Sequence, residues 1–302
     1  MQFDFGRGGG PAHVTIDRER CTACGLCVRA CQGGPIYLAE AEVRVDPSRL
    51  FGCIGCGQCM TVCPADCVTV TGRDLSPSDL LELPRSDASA GYTALYSLLV
   101  ARRSVREYRD QVVPPEVINQ ITRAASTAPM GIPPSEVGVL VFAGRDKVQA
   151  FRNELLRELE GMRWMFSPAA LWLMRPFMSR ESYRSLKAFV VPVIDAYVEY
   201  DRQGVDAFFY RAPVALYWYG SPYADPADPY IAATYAMLAA ESLGLGSCLL
   251  GFPGYAIKYS RRLKSKYGLP RRLQPGIVMV LGYPAFRHAR AIRRRFAEAR
   301  EV

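Results

Sequence analysis

Eight thiols constrain the early part of this chain more than anything else in it. Cys21, Cys24, Cys27 and Cys31 are spaced C-x2-C-x2-C-x3-C, and Cys53, Cys56, Cys59 and Cys63 repeat the spacing, with Pro64 behind the last. Three thiolates two residues apart bend a short loop around three corners of an iron–sulfur cube, and a more distant thiolate takes the fourth. Such wrapping often requires positive φ, and Gly25, Gly55 and Gly57 stand in the loops to supply it. A zinc site would use four ligands in two pairs, whereas two complete quartets are present here. Nine of the ten cysteines lie between 21 and 67. The one left over in that segment, Cys67, is expected to be a small buried apolar side chain. Disulfides would be the reading in an exported mini-domain. The first 20 residues hold no apolar run of the export type, so the expected compartment is the cytoplasm.

The double run resembles the bacterial two-cluster ferredoxins. In that family the fourth cysteine of each run ligates the other cluster. The resemblance therefore implies one 4Fe–4S cluster on Cys21, Cys24, Cys27 and Cys63, and a second on Cys53, Cys56, Cys59 and Cys31. Gln32 replaces the proline that usually follows the first run, and the gap between runs is somewhat long, but no ligand is missing. A ferredoxin module passes single electrons and makes no bonds, so their destination must lie in the rest of the chain.

That remainder is large enough for a domain with its own core. The 302 residues are 50% hydrophobic and 22% charged, which favours two folded domains and excludes a disordered chain. Charge is divided unevenly: residues 1–85 balance to −2 and residues 86–302 to +10, within a total of +8. A basic domain points to an anionic cofactor, substrate or surface; no nucleic-acid motif accompanies the charge. The most apolar stretch, Trp164 to Phe177, is cut by Pro168 and Arg175 and is too short to span a bilayer. It is expected in the core or at a dimer interface, the alternatives being a lid or a membrane- or partner-docking patch.

Residues 72–92 read as a connector rich in Gly, Pro, Ser and Asp, giving a domain at 1–75, a linker at 76–92 and a second domain at 93–302. Helical spacing appears in Leu95, Leu98 and Leu99. It appears again from Pro114-Pro115 onward, with Val117, Ile118, Ile121 and Ala125 on one face, and over 146–160, 183–201 and 229–243. Val137 to Phe142, Val214 to Trp218 and Ile277 to Leu281 read as buried strands, so the second domain is expected to be α/β or α+β.

Familiar catalytic signatures are missing. There is no Walker loop, and Gly244-Leu245-Gly246 lacks the third glycine of a dinucleotide fold. With only His13 and His288, a histidine-centred mechanism has few candidates, which favours an organic redox cofactor. Arg102, Arg103, Ser104 and Arg106 form a cluster able to clamp a phosphate, because guanidinium donates in a planar fork. Ala125 to Ile132 follows one helix later, then Gly244 to Gly251, then Leu281-Gly282-Tyr283-Pro284 ahead of Arg287, Arg290, Arg293, Arg294 and Arg295.

In order and distance these four segments resemble the FMN-dependent nitroreductase superfamily over about residues 93–296. The resemblance implies an α+β homodimer with FMN at the subunit interface. FMN contacts would come from Arg102, Arg103, Ser104 and Arg106; from Pro129, Met130 and Gly131 beside the flavin; from Leu249, Leu250 and Gly251 through backbone over the ring; and from Arg290 and Arg294 at the phosphate. The chain departs from the family at Ile132 to Ser135, where a polar asparagine and an aromatic are usual. The expected fold is thus a small ferredoxin-like domain followed by a nitroreductase-like α+β domain. The expected function is an FMN-dependent oxidoreductase passing electrons through two 4Fe–4S clusters to FMN and on to a nitroaromatic, a quinone or a similar conjugated acceptor. NAD(P)H or a reduced ferredoxin or flavodoxin would be the donor, and a non-catalytic relay or redox sensor is the alternative. No catalytic side chain is assigned.

Overall fold

The computed structural model describes residues 6–131 and 133–301. In the first domain two short antiparallel ribbons flank two short helices. β1 (His13–Ile16) pairs with β4 (Val68–Thr71), and β2 (Ile36–Ala39) pairs with β3 (Glu42–Val45). α1 (Leu26–Ala30) and α2 (Gln58–Thr61) each begin directly behind a glycine, Gly25 at φ 74° and Gly57 at φ 72°. Gly55 is also left-handed at φ 70°, so all three glycines serve the tight wrapping that their spacing suggests. The core is small: Ile36, Val43, Met60, Val68 and Val70, joined by buried Cys27, Cys59 and Cys67. A core of this size leaves much of the domain's cohesion to what the remaining thiols hold.

α3 (Tyr92–Ala101) opens the second domain, followed by α4 (Pro115–Ala125), which starts at the expected proline pair. β5 (Val137–Ala143) and α5 (Arg145–Met162) come next, then α6 (Pro168–Met174), α7 (Arg180–Ser185) and α8 (Val191–Arg202). β6 (Val214–Gly220), α9 (Asp228–Ser242), β7 (Gly246–Leu250), α10 (Gly251–Tyr259), α11 (Arg261–Lys266) and β8 (Gln274–Gly282) complete it. The four strands form one antiparallel sheet in the order β5-β6-β8-β7, with Leu216 opposite Met279 and Cys248 opposite Val280.

Both faces of this sheet are covered. Tyr217, Val278 and Val280 face a cluster with Phe151, Leu155 and Leu159 of α5, Ile194 of α8 and Ile257 of α10. Leu216, Trp218, Met279 and Leu281 face Ile118 and Ile121 of α4 and Ala232, Ala233 and Ala236 of α9. A sheet wet on one side would alternate apolar and polar residues, but a doubly covered one reads as a continuous apolar run. α10 lies unusually close to β8. A Cβ on Gly254 would stand 1.8 Å from the Gly276 carbonyl oxygen, so the helix approaches through bare backbone.

The 183–201 pattern is helical throughout, as the end of α7, a π turn at Leu186–Val190 and α8. Pro192, lacking an N–H, sits where the ladder is re-phased. The Trp164 to Phe177 stretch is not core of the chain: Leu171 is buried, but Trp172 is 72% and Phe177 87% exposed. Short helical turns on both sides of α6 carry it off the sheet. No described helix is long and apolar enough to cross a membrane.

A buried ion pair braces the turn ahead of β6. Asp206 accepts from the backbone N–H groups of Phe208 (3.1 Å), Phe209 (2.8 Å) and Arg211 (2.8 Å), from Gln149 Nε2 (3.1 Å) and from Arg152 Nε (3.2 Å). Burial alone would raise its pKa, but these donors win and hold the carboxylate below its ordinary 3.8. Asp206→Asn is expected to cost about 1–3 kcal/mol near neutral pH, because three backbone N–H groups and Arg152 lose a charged acceptor while Arg152 keeps its pairing with Asp201. A depressed folded pKa means stability that is present above the ordinary value and lost as pH falls through the folded one. The gap between wild type and variant in chemical denaturation should therefore narrow once the pH drops below 3.8. Phe151 stacks on Phe142 with centroids 4.0 Å apart and meets Phe209 and Tyr267 edge-on. Phe151→Ala should lower unfolding stability by about 3–5 kcal/mol, measured in the same way.

Candidate functional site

The eight thiols divide into two cavities, and the division crosses the sequence runs. One hollow is walled by Cys31, Cys53, Cys56 and Cys59 together with Ile36 and Val70. The other is walled by Cys21, Cys24, Cys27 and Cys63 with Val43, Ala65 and Cys67. Each quartet takes its fourth member from the other run. The thiols line spaces instead of meeting at a point, and among the described residues no three His, Cys, Asp or Glu side chains converge as ligands of a single ion. Four sulfurs around an apolar hollow fit a cube whose metal corners point outward to the thiolates.

Electrostatics follow the same partition. Burial, then its neighbours Cys31, Cys53 and Cys56, push the Cys59 thiol up to about 12. Burial, then Cys63 and Cys21, raise Cys27. Four thiolates cannot share such a hollow without positive charge between them, which the iron of a bound cluster would supply. Cys67 is buried as expected, but sequence reasoning missed what it touches. Its Sγ lies 3.4 Å from Cys63 Sγ, and its backbone N–H donates to the same sulfur at 3.4 Å. Burial and that contact push the Cys67 thiol up to about 12. It is thus a neutral neighbour of Cys63 on the cavity wall.

In the second domain the segment after α3 is an extra edge strand. Ser104 bridges Ser247 in parallel, and the Val105 N–H donates to the Ser247 carbonyl at 3.0 Å. Farther along, the Arg109 N–H donates to Tyr283 (2.8 Å) and the Ala285 N–H to Glu107 (3.0 Å). Three of the four segments are laced together in this way: 102–109, β7 and the chain behind β8. Gly246 accepts this closeness because a Cβ there would stand 2.5 Å from Val105 Cγ2.

Their side chains sort into distinct positions. Arg102 and Arg103, both half-buried, lie within electrostatic reach of Glu241 near the C-terminal end of α9. Arg103 donates to the carbonyls of Val100 (2.7 Å) and Arg102 (2.6 Å), which fixes its own turn. Ser104 and Arg106 are exposed, and the Arg106 guanidinium stands 5.8 Å from the Tyr210 ring centre. Leu249 and Leu250 close β7, and Gly251 opens α10 with no side-chain cap and with open space where a Cβ would be. The start of α10 is thus uncapped and open beside Gly251, a place where a ligand acceptor can approach backbone N–H.

The remaining members sit elsewhere. Arg290 reaches the cluster through its backbone, its carbonyl 3.5 Å from Arg103 Nη2. Arg294 is exposed, and the tail behind β8 is not helical. Gly131, following Pro129 and Met130, donates its N–H to Asp228 at 3.2 Å, at the first residue of α9. Asp228 and Glu241 are separated by about 20 Å along that helix at 1.5 Å per residue. Within one chain, Pro129 to Gly131 and Arg102 to Arg106 therefore flank opposite ends of α9. The departure at Ile132 to Ser135 begins at Ile132, which lies outside the described residues.

The crossed cavities can be tested one at a time. Cys63→Ser should abolish the cluster held with Cys21, Cys24 and Cys27 and spare the one held with Cys53, Cys56 and Cys59. Iron content would fall by about half, with one electron paramagnetic signal lost and the other kept.

The Nitroreductase family profile matches residues 99–283, and a 4Fe-4S dicluster domain profile matches residues 13–64. Among curated proteins, the chain is 32% identical over 87 residues to NAD(P)H-quinone oxidoreductase subunit I of Gloeobacter violaceus, over 26% of this chain and 42% of that protein. The chain thus spans less than half the length of that relative. Among solved structures it is similar to a nitroreductase with bound FMN from Bacteroides fragilis: 19% identity, TM-score 0.49, covering 69% of this chain and 96% of that one. It is also similar to a nitroreductase with bound FMN from Desulfitobacterium hafniense: 22% identity, TM-score 0.47, covering 66% and 93%. With the profile covering well over half of its residues, the chain belongs to the nitroreductase family and carries a 4Fe–4S dicluster domain ahead of the family domain.

Proposed function

We propose that this chain is an iron–sulfur flavoprotein oxidoreductase. Residues 1–75 hold two 4Fe–4S clusters, 76–92 link them to the second domain, and 93–302 hold FMN. Electrons enter singly through the clusters and leave to a conjugated electron-poor acceptor such as a nitroaromatic or a quinone. The observation that carries the reading is the pair of crossed thiol cavities on a chain whose second domain carries an arginine cluster on the segment paired with the start of β7. FMN suits the junction because, when bound, it exchanges electrons with one-electron and two-electron partners alike.

The chain's own residues divide the work. Arg102 holds the phosphate, with Arg103 fixing the turn and Arg290 backing it. The backbone of Leu249, Leu250 and Gly251, where β7 runs into α10, approaches the ring. Arg106, Ser104 and the exposed edge of Tyr210 bound the same side. Pro129 to Gly131, at the far end of α9, complete the pocket of a second copy, which supports a homodimer with FMN between subunits. The fused one-electron module favours a reduced ferredoxin or flavodoxin as donor over NAD(P)H.

Anaerobically purified protein is expected to contain flavin and about eight iron per chain, as two cubanes require. It should turn over nitro compounds or quinones faster with a reduced ferredoxin than with NAD(P)H. Bound FMN and intact clusters without turnover would favour a relay or sensor, and a preparation that takes up neither cofactor would refute the proposal. Arg102→Ala should weaken FMN binding by about tenfold or more through lost charge-assisted bonds, with iron content unchanged. Fluorescence titration of the apoprotein measures it.

A further inference from the structure

Arg73 occupies a position that a side chain like arginine seldom takes. It follows β4 in a tight turn, with Arg73 at φ 53° and Asp74 at φ 61°, and the Leu75 N–H closing back on Gly72 at 3.2 Å. Both central residues are in the left-handed region, where glycine or asparagine is the inexpensive choice. An arginine there carries backbone strain, which directs attention to what its side chain does.

That side chain is only 4% exposed and joins the two domains. Nε donates to the Ile54 carbonyl at 3.0 Å, inside the Cys53–Cys56 loop. Nη2 donates to the Pro133 carbonyl at 2.6 Å, in the connection between α4 and β5. The side chain lies flat on Gly55, where a Cβ would stand 3.1 Å from Arg73 Cβ. A second line of contact runs parallel: Arg7 pairs with Asp74, its backbone N–H meets the Glu136 carboxylate, and Nη1 reaches the Ser135 carbonyl at 3.4 Å. The loop touched on the cluster side belongs to the cavity of Cys31, Cys53, Cys56 and Cys59. Cys24, in the other cavity, is exposed to solvent.

We propose that electrons leave the ferredoxin domain through the cluster held by Cys31, Cys53, Cys56 and Cys59, and that Arg73 is the positioning residue that holds this cluster's loop against the Pro133 loop of the flavin domain. The inference rests on the functional reading above. The cluster held by Cys21, Cys24, Cys27 and Cys63 is then the entry port, its exposed Cys24 side meeting the donor. Each transfer moves one electron and no atom. A reduced ferredoxin or flavodoxin loses the electron, the clusters carry it in turn, and the flavin gains it. Two such transfers with two protons from solvent complete the flavin's reduction. The guanidinium also stabilises the more negative, reduced state of the nearer cluster and so raises its potential.

The test uses the full-length protein with both cofactors and the variants Arg73→Gln and Arg73→Lys. Cluster potentials are read by redox titration with paramagnetic resonance, and flavin bleaching by rapid mixing with a dithionite-reduced ferredoxin. In Arg73→Gln one of the two cluster potentials should fall, namely that of the signal surviving in Cys63→Ser, and bleaching should slow by about tenfold or more, with iron and flavin contents unchanged. Arg73→Lys keeps the charge without the forked bonds, so the potential should hold while bleaching still slows. Unchanged potentials and bleaching in Arg73→Gln, or a shift confined to the other cluster, would overturn the assignment. Should wild-type protein bind no flavin, the functional reading fails instead, and the potentials still report whether Arg73 faces the assigned cluster.

Discussion

The exchange of one thiol between the two cysteine runs is the constraint on which the first domain depends. Cys31 leaves its own run to wall the cavity of Cys53, Cys56 and Cys59, and Cys63 makes the reverse crossing. With so few apolar residues in this core, the two halves are joined chiefly by that exchange and by the short ribbons beside it. Filling either hollow with iron ties both halves together, so metal loading and folding are one equilibrium in this part of the molecule. Close packing of the loops follows, and with it the left-handed glycines that start both short helices.

The second domain depends on a different arrangement, an antiparallel sheet with helices on both faces. Its central strands, β6 and β8, are buried on both sides, and the catalytic possibilities are pushed to the β7 edge. There the chain adds one more extended segment carrying the arginines. Backbone bonds from Val105, Arg109 and Ala285 hold that segment, with the Arg103 side chain adding bonds to the Val100 and Arg102 carbonyls. The Asp206 carboxylate, through the turn that carries Tyr210, supports the same corner from the opposite side.

Much of this was legible in the sequence where local chemistry decides the outcome. The thiol spacing, the three wrapping glycines, the proline start of α4 and the buried runs of β6 and β8 all read correctly, because neighbours along the chain set each of them. β5, expected buried, is instead a half-buried edge strand with Val141 44% exposed. Gly244 to Gly251 reads as a glycine-rich segment with no strand assigned, yet Gly246–Leu250 is a strand. Only pairing with β8 and the segment after α3 stabilises it, and no short window shows that. The stretch around Trp172 is as apolar as any core segment, so composition could not tell that α6 stands off the sheet. The distance between Gly131 and the arginine cluster was hidden for a related reason. Order along the chain says which segments exist, but the length of α9 sets how far apart they lie.

α3 carries the last consequence. Its ten residues, Tyr92–Ala101, are almost entirely apolar, yet none is buried, and Tyr92 stacks on Tyr96 at the surface. A helix with no inward face adds little to the folding of a solitary chain, and water meets it on nearly every side. Its register, and with it the orientation of the arginine pair that directly follows, is fixed firmly only where another surface lies against it. In the homodimer proposed above, dilution would therefore loosen the arginine segment behind α3 before it disturbed the sheet.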